Sequence, residues 1–243
     1  MKTQIRFLLF MLLPLFMINC SSPNEASDRF VYEKVREKWK KDLSDFGLNI
    51  ENEYEIFIRA FKQEELLEVF IKELSQERFR LLKTYDFCSS SGSLGPKRKE
   101  GDKQIPEGIY HIDRFNPKSQ FHLSLGLNYP NKSDRIKGDP EEPGSDIFIH
   151  GKCVTIGCIP LGDPGIEELF VLAEQAKLQG QAKIPVHIFP AKMDTEQMQE
   201  LNRQFPQHTD FWEKLIPLYQ AFESSKQLAT YRINAEGSYE LVE

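Results

Sequence analysis

The apolar residues of the chain change period several times, and each change marks an element. Val31, Val35, Trp39 and Leu43 recur every four positions until Gly47, which predicts an amphipathic helix capped by Ser27 or Asp28. Ahead of it, residues 21–27 are small and polar and read as a tether. Beyond it the period drops to two. Tyr54, Ile56 and Ile58 alternate with Glu55, Phe57 and Arg59, and Leu67, Val69 and Ile71 alternate with Glu68, Phe70 and Lys72. Both stretches predict strands. Glu64, Glu65 and Leu66 favour a helix locally, but the Val-Phe-Ile centre of the second stretch tips it to a strand. Residues 79–87 predict a third strand, and residues 88–108, interrupted by Gly and Pro, read as one long irregular connection of a kind that commonly carries function.

Further short strands are predicted at 109–112, 121–125 and 147–150, separated by turn-rich segments such as Asn128-Tyr129-Pro130-Asn131. Asp163 then reads as the cap of a helix with Pro164 at its first position, Ile166, Leu169, Leu172, Ala173 and Ala176 on its buried face, and Gly180 behind it. Residues 186–189 predict a closing strand. From Asp194 the text is helical through Tyr219, and a weak hairpin is expected around Glu236-Gly237. The expected fold is therefore mixed and mainly β, with a helix just after the 150s and a helical C-terminal extension.

Composition narrows the class. A chain of 243 residues with 40% hydrophobic and 28% charged residues holds one principal core and is not a membrane-spanning body. Its net charge of -6, with basic residues scattered among acidic ones, gives no reason to expect a nucleic-acid partner. The N-terminus departs from this pattern: Lys2 and Arg6 precede an apolar run from Phe7 to Ile18, followed by Asn19, Cys20 and two serines. This is a signal-peptide layout, too short to span a hydrocarbon core that takes about 20 residues. Cys20 behind the run resembles the acylated Cys of bacterial lipoproteins, although Asn19 replaces the small residue usual there, and a plain cleaved signal peptide is the alternative. The expectation is an exported protein on the periplasmic face of a membrane, anchored through a lipidated Cys20. The chain accordingly divides into a signal peptide (1–19), tether and N-terminal helix (20–51), a catalytic domain (52–193) and the C-terminal extension (194–243).

With Cys20 acylated, Cys88, Cys153 and Cys158 remain, and an odd number leaves at least one thiol unpaired in a monomer. The informative stretch is His150-Gly151-Lys152-Cys153-Val154-Thr155-Ile156-Gly157-Cys158. The preceding strand holds His150, and two glycines let the backbone turn back so that Cys158 can sit beside it. A thiol with a pKa of about 8.5 needs a base or a lowered pKa to become a nucleophile, and an imidazole supplies it. The backbone N–H groups of Gly157 and Cys158 are candidate donors to an oxyanion. The bland readings stand beside this one. A lone His is usually a hydrogen-bonded structural residue and a lone Cys a small buried hydrophobe. His150, Cys153, Cys158 and His187 could also ligate zinc, although the spacing fits no common site. A disulfide between Cys153 and Cys158 would consume the nucleophile.

The stretch resembles the active-site motif of the L,D-transpeptidase (YkuD-type) catalytic domain, in which a strand-borne His-Gly is followed by Ser/Thr-His-Gly-Cys. Thr155, Gly157 and Cys158 match; Ile156 replaces the second His, Pro160 stands where Arg or Asn often follows the Cys, and the His-to-Cys interval of 8 positions is short. These departures resemble the YafK-like branch of the family, as do Cys88, Cys153, the segments around Gly92, Lys97, Asp102 and Glu107, Asn128–Asn131, Asp134-Arg135 and 186–190. The resemblance covers roughly residues 52–193. It implies a β-sandwich with the Cys beside a cleft, Cys158 as nucleophile, His150 as general base and the Gly151 carbonyl orienting the imidazole. The implied substrate is a peptidoglycan stem peptide, cut at diaminopimelate through a thioester. Lys97 and Arg135 are then candidate partners for its carboxylates, Tyr129 and Thr155 further candidate contacts, and Arg98 a solvated loop charge. His122 and His187 read as packing residues. No cofactor or metal is implied.

A papain-like peptidase is the nearest other enzyme class, but there the Cys precedes the His. From a different class, a catalytically silent wall-binding lipoprotein would keep the cleft without turnover. The less polar surroundings of Cys158 and the YafK-like resemblance together lead to the expectation that hydrolysis, or release of a wall-linked lipoprotein, is at least as prominent as new stem-to-stem crosslinks.

Overall fold

The computed structural model describes residues 23–49 and 51–242, with side chains from Val31 onward. The apolar run and Cys20 lie outside the described residues. No helix among the described residues is long and apolar enough to cross a membrane.

Helix α1 spans Pro23–Asp45 and so takes in most of the stretch read as a tether; Pro23 supplies a φ already suited to a first helical position. Its period-four stripe is the buried one, with Trp39 1% and Leu43 0% exposed. The helix stops as its sequence anticipates. Gly47 takes φ +82, its N–H donates to Ser44 O, and the Leu48 N–H donates to Leu43 O. This satisfies carbonyls that the helix end would otherwise leave open.

Strands β1 (Tyr54–Phe61) and β2 (Leu66–Glu73) form an antiparallel hairpin in which Ile58 faces Val69, so alternation, not the local helix preference, describes residues 66–73. With β3 (Arg80–Asp86), β4 (Gly108–Ser119), β5 (His122–Leu127), β6 (Phe148–His150), β7 (Ile159–Pro160) and β8 (Ile184–Phe189) they make one continuous eight-stranded sheet in the order β3-β2-β1-β8-β4-β5-β6-β7. The fold is the mixed, mainly β one expected. β1 with β8 and β6 with β7 are parallel pairs. Residues 88–107 contain no strand or helix.

Both faces of the sheet centre are covered. Helix α3 (Gly162–Leu178) lays Ile166, Leu169, Leu172 and Ala173 against Ile56, Ile58, Val69, Val186 and Ile188, and α1 packs outside it, with Trp39 Nε1 donating to Glu168 O at 2.8 Å. The opposite face carries Phe57, Phe61, Phe70 and Phe189, which meet α5 (Thr209–Ser225) through Phe222, Trp212 and Leu215. This explains why Phe57 and Arg59, polar-face positions by alternation, are buried: the C-terminal extension covers them. The helical stretch expected from Asp194 through Tyr219 forms, with an interruption. α4 (Thr195–Gln204) ends at Phe205, a short turn of 3-10 helix occupies Pro206–His208, and α5 runs on past Tyr219. Pro206 is the physical cause, since it lacks an N–H and pushes Phe205 out of the helical region, to φ -129 and ψ 59. The hairpin at Glu236-Gly237 forms as β9 (Tyr231–Ile233) and β10 (Tyr239–Leu241). A short helix, α2 (Lys132–Lys137), replaces part of a turn-rich segment because Asn131 and Asp134 cap it reciprocally.

Candidate active site

β6 and β7 form the last parallel pair at one edge of the sheet, with His150 in register with Pro160. Cys158 stands immediately before β7, two residues ahead of Pro160, the residue in register with His150. The segments are tied closely: Leu161 N–H donates to His150 O at 2.8 Å, and the Cys158 thiol lies 3.8 Å from Asp146 O on the approach to β6. The loop between them is stapled by a disulfide joining Cys88 to Cys153. Cys158 is the free cysteine among the described residues. The alternative pairing of Cys153 with Cys158 is thereby excluded. The zinc alternative fails as well: Cys153 is consumed, His187 lies under the C-terminal extension, and the described residues contain no metal-ligating cluster.

His150 is 1% exposed, and the Phe121 ring lies against it at 4.8 Å. Its Nδ1 is 2.5 Å from Gly151 O. A carbonyl only accepts, so Nδ1 carries the proton and Nε2 is the basic nitrogen of the neutral ring. Burial holds the imidazole below its ordinary pKa, with the bond to Gly151 pulling partly the other way. Burial pushes the Cys158 thiol up; hydrogen bonding from the Phe148 backbone and the Lys97 charge oppose this, and Asp146 adds to it. Both groups are therefore neutral near pH 7, a thiol and an imidazole rather than a standing thiolate and imidazolium.

The two candidate oxyanion donors are already engaged. Gly157 N–H and Cys158 N–H donate to Thr155 Oγ1 at 3.2 and 2.9 Å, and the Thr155 hydroxyl donates to Cys158 O at 2.8 Å. Thr155, expected to contact substrate, instead ties the loop from inside. Gly157 itself has φ +133, and a Cβ there would come within 2.9 Å of Gln104 O, so only glycine lets the 88–108 connection lie against the loop before Cys158.

The remaining expectations fare unevenly. Lys97 is 4% exposed and bonded to Asp102 Oδ1 at 2.7 Å and Lys99 O at 2.8 Å; it is a paired internal charge, not an open carboxylate receptor. Tyr129 is buried and its hydroxyl donates to Pro143 O at 2.7 Å, a packing role. Arg135 is exposed on α2 and makes no ion pair among the described residues. Arg98 is not a solvated charge: its guanidinium lies over the Phe211 ring at 4.8 Å and 3.8 Å from buried Asp134. His122 pairs with Glu167 at 2.7 Å, and His187 packs against Phe57. Asp163 is not a helix cap. α3 begins at Gly162, and Asp163 Oδ1 accepts the Lys152 N–H at 2.8 Å, binding the helix start to the His150 loop. Sequence reading missed this and the stacking of Phe121, because neither residue shows a local pattern that names its distant partner.

Residues 57–188 match the model of the YkuD family, described as the L,D-transpeptidase catalytic domain. The Escherichia coli K12 protein named "Putative L,D-transpeptidase YafK" is 34% identical over 180 residues, covering 73% of this chain and 70% of that one. Among solved structures, the helical cell shape determining protein Pgp2 of Campylobacter jejuni aligns with a TM-score of 0.45 and 18% identity over 75% of this chain and 73% of its own. Bd1075 of Bdellovibrio bacteriovorus aligns with a TM-score of 0.39 and 24% identity over 71% of this chain and 60% of its own. By the extent of the family match and the identity to YafK, the chain belongs to the YkuD-type L,D-transpeptidase catalytic-domain family.

Proposed function

We propose that this protein remodels peptidoglycan as a cysteine enzyme, attacking stem peptides at diaminopimelate through a thioester on Cys158. The observation that supports the reading is one free thiol near one oriented imidazole in the fold: Cys88 and Cys153 are consumed in a disulfide, which leaves Cys158 free, and the Gly151 carbonyl fixes the neutral tautomer of His150, whose strand runs in register with the one that Cys158 leads into. Because both groups start neutral, the thiol proton passes to His150 Nε2 as Sγ attacks the carbonyl carbon, and the same proton then leaves with the departing amine. In this reading Gly157 and Cys158 N–H exchange Thr155 Oγ1 for the developing oxyanion when substrate binds. Water or an amine next attacks the thioester, giving its proton to Nε2; the C–S bond breaks, and that proton passes to the leaving Cys158 sulfur, which restores the neutral thiol and imidazole.

The loop leading to Cys158 exposes apolar side chains, Ile156 at 77% and Val154 at 57%. It offers few groups to hold a charged acceptor in attack geometry, which favours hydrolysis, or release of a wall-linked lipoprotein, over new crosslinks. The test supplies disaccharide-tetrapeptide to the wild-type protein and to Cys158→Ala, with and without an amine acceptor. The expected outcome is an acyl adduct on Cys158 by mass, none in Cys158→Ala, and hydrolysed product at least equal to transferred product. An unmodified wild-type thiol and no turnover would favour the silent wall-binding alternative, and predominant new dimers would overturn the hydrolytic preference. Export and membrane attachment through an acylated Cys20 belong to the same proposal, resting on the signal-peptide layout. Cell fractionation checks this part: wild type in the membrane fraction and Cys20→Ala released is the expected result, and equal distribution of the two sinks it.

A further inference from the structure

The imidazole of His150 and the carboxylate of Asp163 meet at opposite ends of one peptide group. The carbonyl of the Gly151–Lys152 peptide accepts from His150 Nδ1, and the N–H of that same peptide donates to Asp163 Oδ1 at 2.8 Å. From this we propose that Asp163 is a positioning residue for the reaction, acting on His150 through the intervening peptide as a carboxylate–peptide–imidazole relay. The inference rests on the reading of His150 as general base.

Three observations support a built arrangement rather than a chance contact. Gly151 is packed so closely that an added Cβ would lie 2.7 Å from Asp163 Oδ1 and 2.7 Å from Phe121 O, so the carboxylate and the His150 loop leave room only for glycine. Lys152 holds φ +57, a left-handed conformation that a non-glycine residue keeps only when its surroundings impose it. The bond to Asp163, the Lys152 Nζ bond to Gln120 O at 2.6 Å and the adjoining disulfide are what impose it. Asp163 also sits on a rigid base, in the first turn of α3, whose Ile166 and Leu169 are fully buried and whose N-terminal dipole favours an anion.

Chemically, a carboxylate bonded to a peptide N–H polarises that peptide and strengthens its carbonyl as an acceptor. The benefit is greatest when Nδ1–H belongs to an imidazolium. The thiol proton therefore moves to Nε2, the Nδ1 proton stays where it is, and Asp163 remains a carboxylate throughout. Other charged groups around the loop are Lys152 itself, the His122–Glu167 pair of β5 and α3, and, on the thiol side, Asp146 and Lys97.

The experiment compares wild type, Asp163→Asn, Asp163→Ala and His150→Gln in the full chain. It reads the rate of Cys158 acylation by a carbapenem, and the His150 titration midpoint by NMR of isotopically labelled histidine. Asparagine keeps an oxygen acceptor for Lys152 N–H but removes the charge. Its His150 midpoint should fall and its acylation rate drop about tenfold, the equivalent of one pKa unit, with the half-saturating ligand concentration unchanged. Alanine should be slower still, so that asparagine is a partial rescue. If alanine misfolds, asparagine alone decides. Wild-type rate and midpoint in Asp163→Asn, alongside a slow His150→Gln, would overturn the relay while leaving the general base intact. A His150→Gln protein as fast as wild type would instead overturn the general-base reading itself.

Discussion

Two histidines, each buried in a strand, occupy opposite parts of the same sheet. His150 lies next to the edge strand, where its Nδ1 is bonded to the Gly151 carbonyl, and the free Cys158 follows eight positions on. His187 lies at the centre, 6% exposed under the C-terminal extension, its ring 4.6 Å from Phe57 and its Nδ1 without a hydrogen-bond partner. Burial depresses both, His187 to about 3 with help from the Arg59 charge. Desolvation alone therefore does not make a base. What separates the two in the structure is a partner that fixes the tautomer, which the Gly151 carbonyl supplies to His150 and which His187 Nδ1 lacks. The centre, sandwiched between α3 and α5, spends its polar groups on internal satisfaction. Arg59 pairs with Glu68 at 2.7 Å among four aromatic rings, and Lys62 pairs with Glu107 at 3.0 Å.

The sharpest way to break this contrast is to remove each imidazole in turn. His150→Gln should slow acylation of Cys158 by about 10²–10⁴-fold, the usual contribution of a general base, whereas His187→Gln should leave the rate of the folded protein within about twofold. Stopped-flow or mass-resolved acylation kinetics reads both, and a comparable loss in the two variants would erase the distinction. The next effect concerns the centre. Glu107 is fully buried, joins Lys62, and accepts from Gly95 N–H and Trp212 Nε1, each at 2.7 Å. Removing one partner strands the other charge, so Glu107→Ala should cost about 3–5 kcal/mol in urea unfolding. A loss under about 1 kcal/mol would mean that the Gly95 and Ile105 carbonyls suffice for the Lys62 ammonium.

The smallest effect is a slope. His187 prefers its neutral form when folded, with a pKa near 3 against about 6.5 unfolded. The unfolded chain thus binds more protons between those values, so this stability is full above pH 6.5 and drains as pH falls, by about 1.4 kcal/mol per unit. Buried Asp134 works in the other direction. Its folded pKa is raised to about 6, so stability from it declines as pH rises from about 4 to 6. His187→Leu should therefore remove the histidine's part of the slope and leave stability falling more steeply, or rising less, from pH 4 to 6 than in wild type. Urea midpoints across that range check this, and identical slopes would place the His187 proton elsewhere.

Much of this was legible in the sequence because it depends on neighbours along the chain. The helix stripe ending at Gly47, the alternating strands of the first hairpin and the buried face of α3 follow from side-chain periodicity, which local backbone geometry enforces. The nine residues from His150 to Cys158 likewise stood out by their spacing and by resemblance to the family shown. Only the tertiary structure decided the rest. It buried Phe57 and Arg59 on a face that alternation assigned to solvent, because a helix from the far end of the chain covers them. It paired Cys153 with Cys88 across 65 positions, turned Lys97 inward to Asp102, and engaged the expected oxyanion donors with Thr155. It also converted an apparent helix cap, Asp163, into a tether on the His150 loop. Each of these depends on which distant group occupies the space beside a residue, and periodicity carries no information about that.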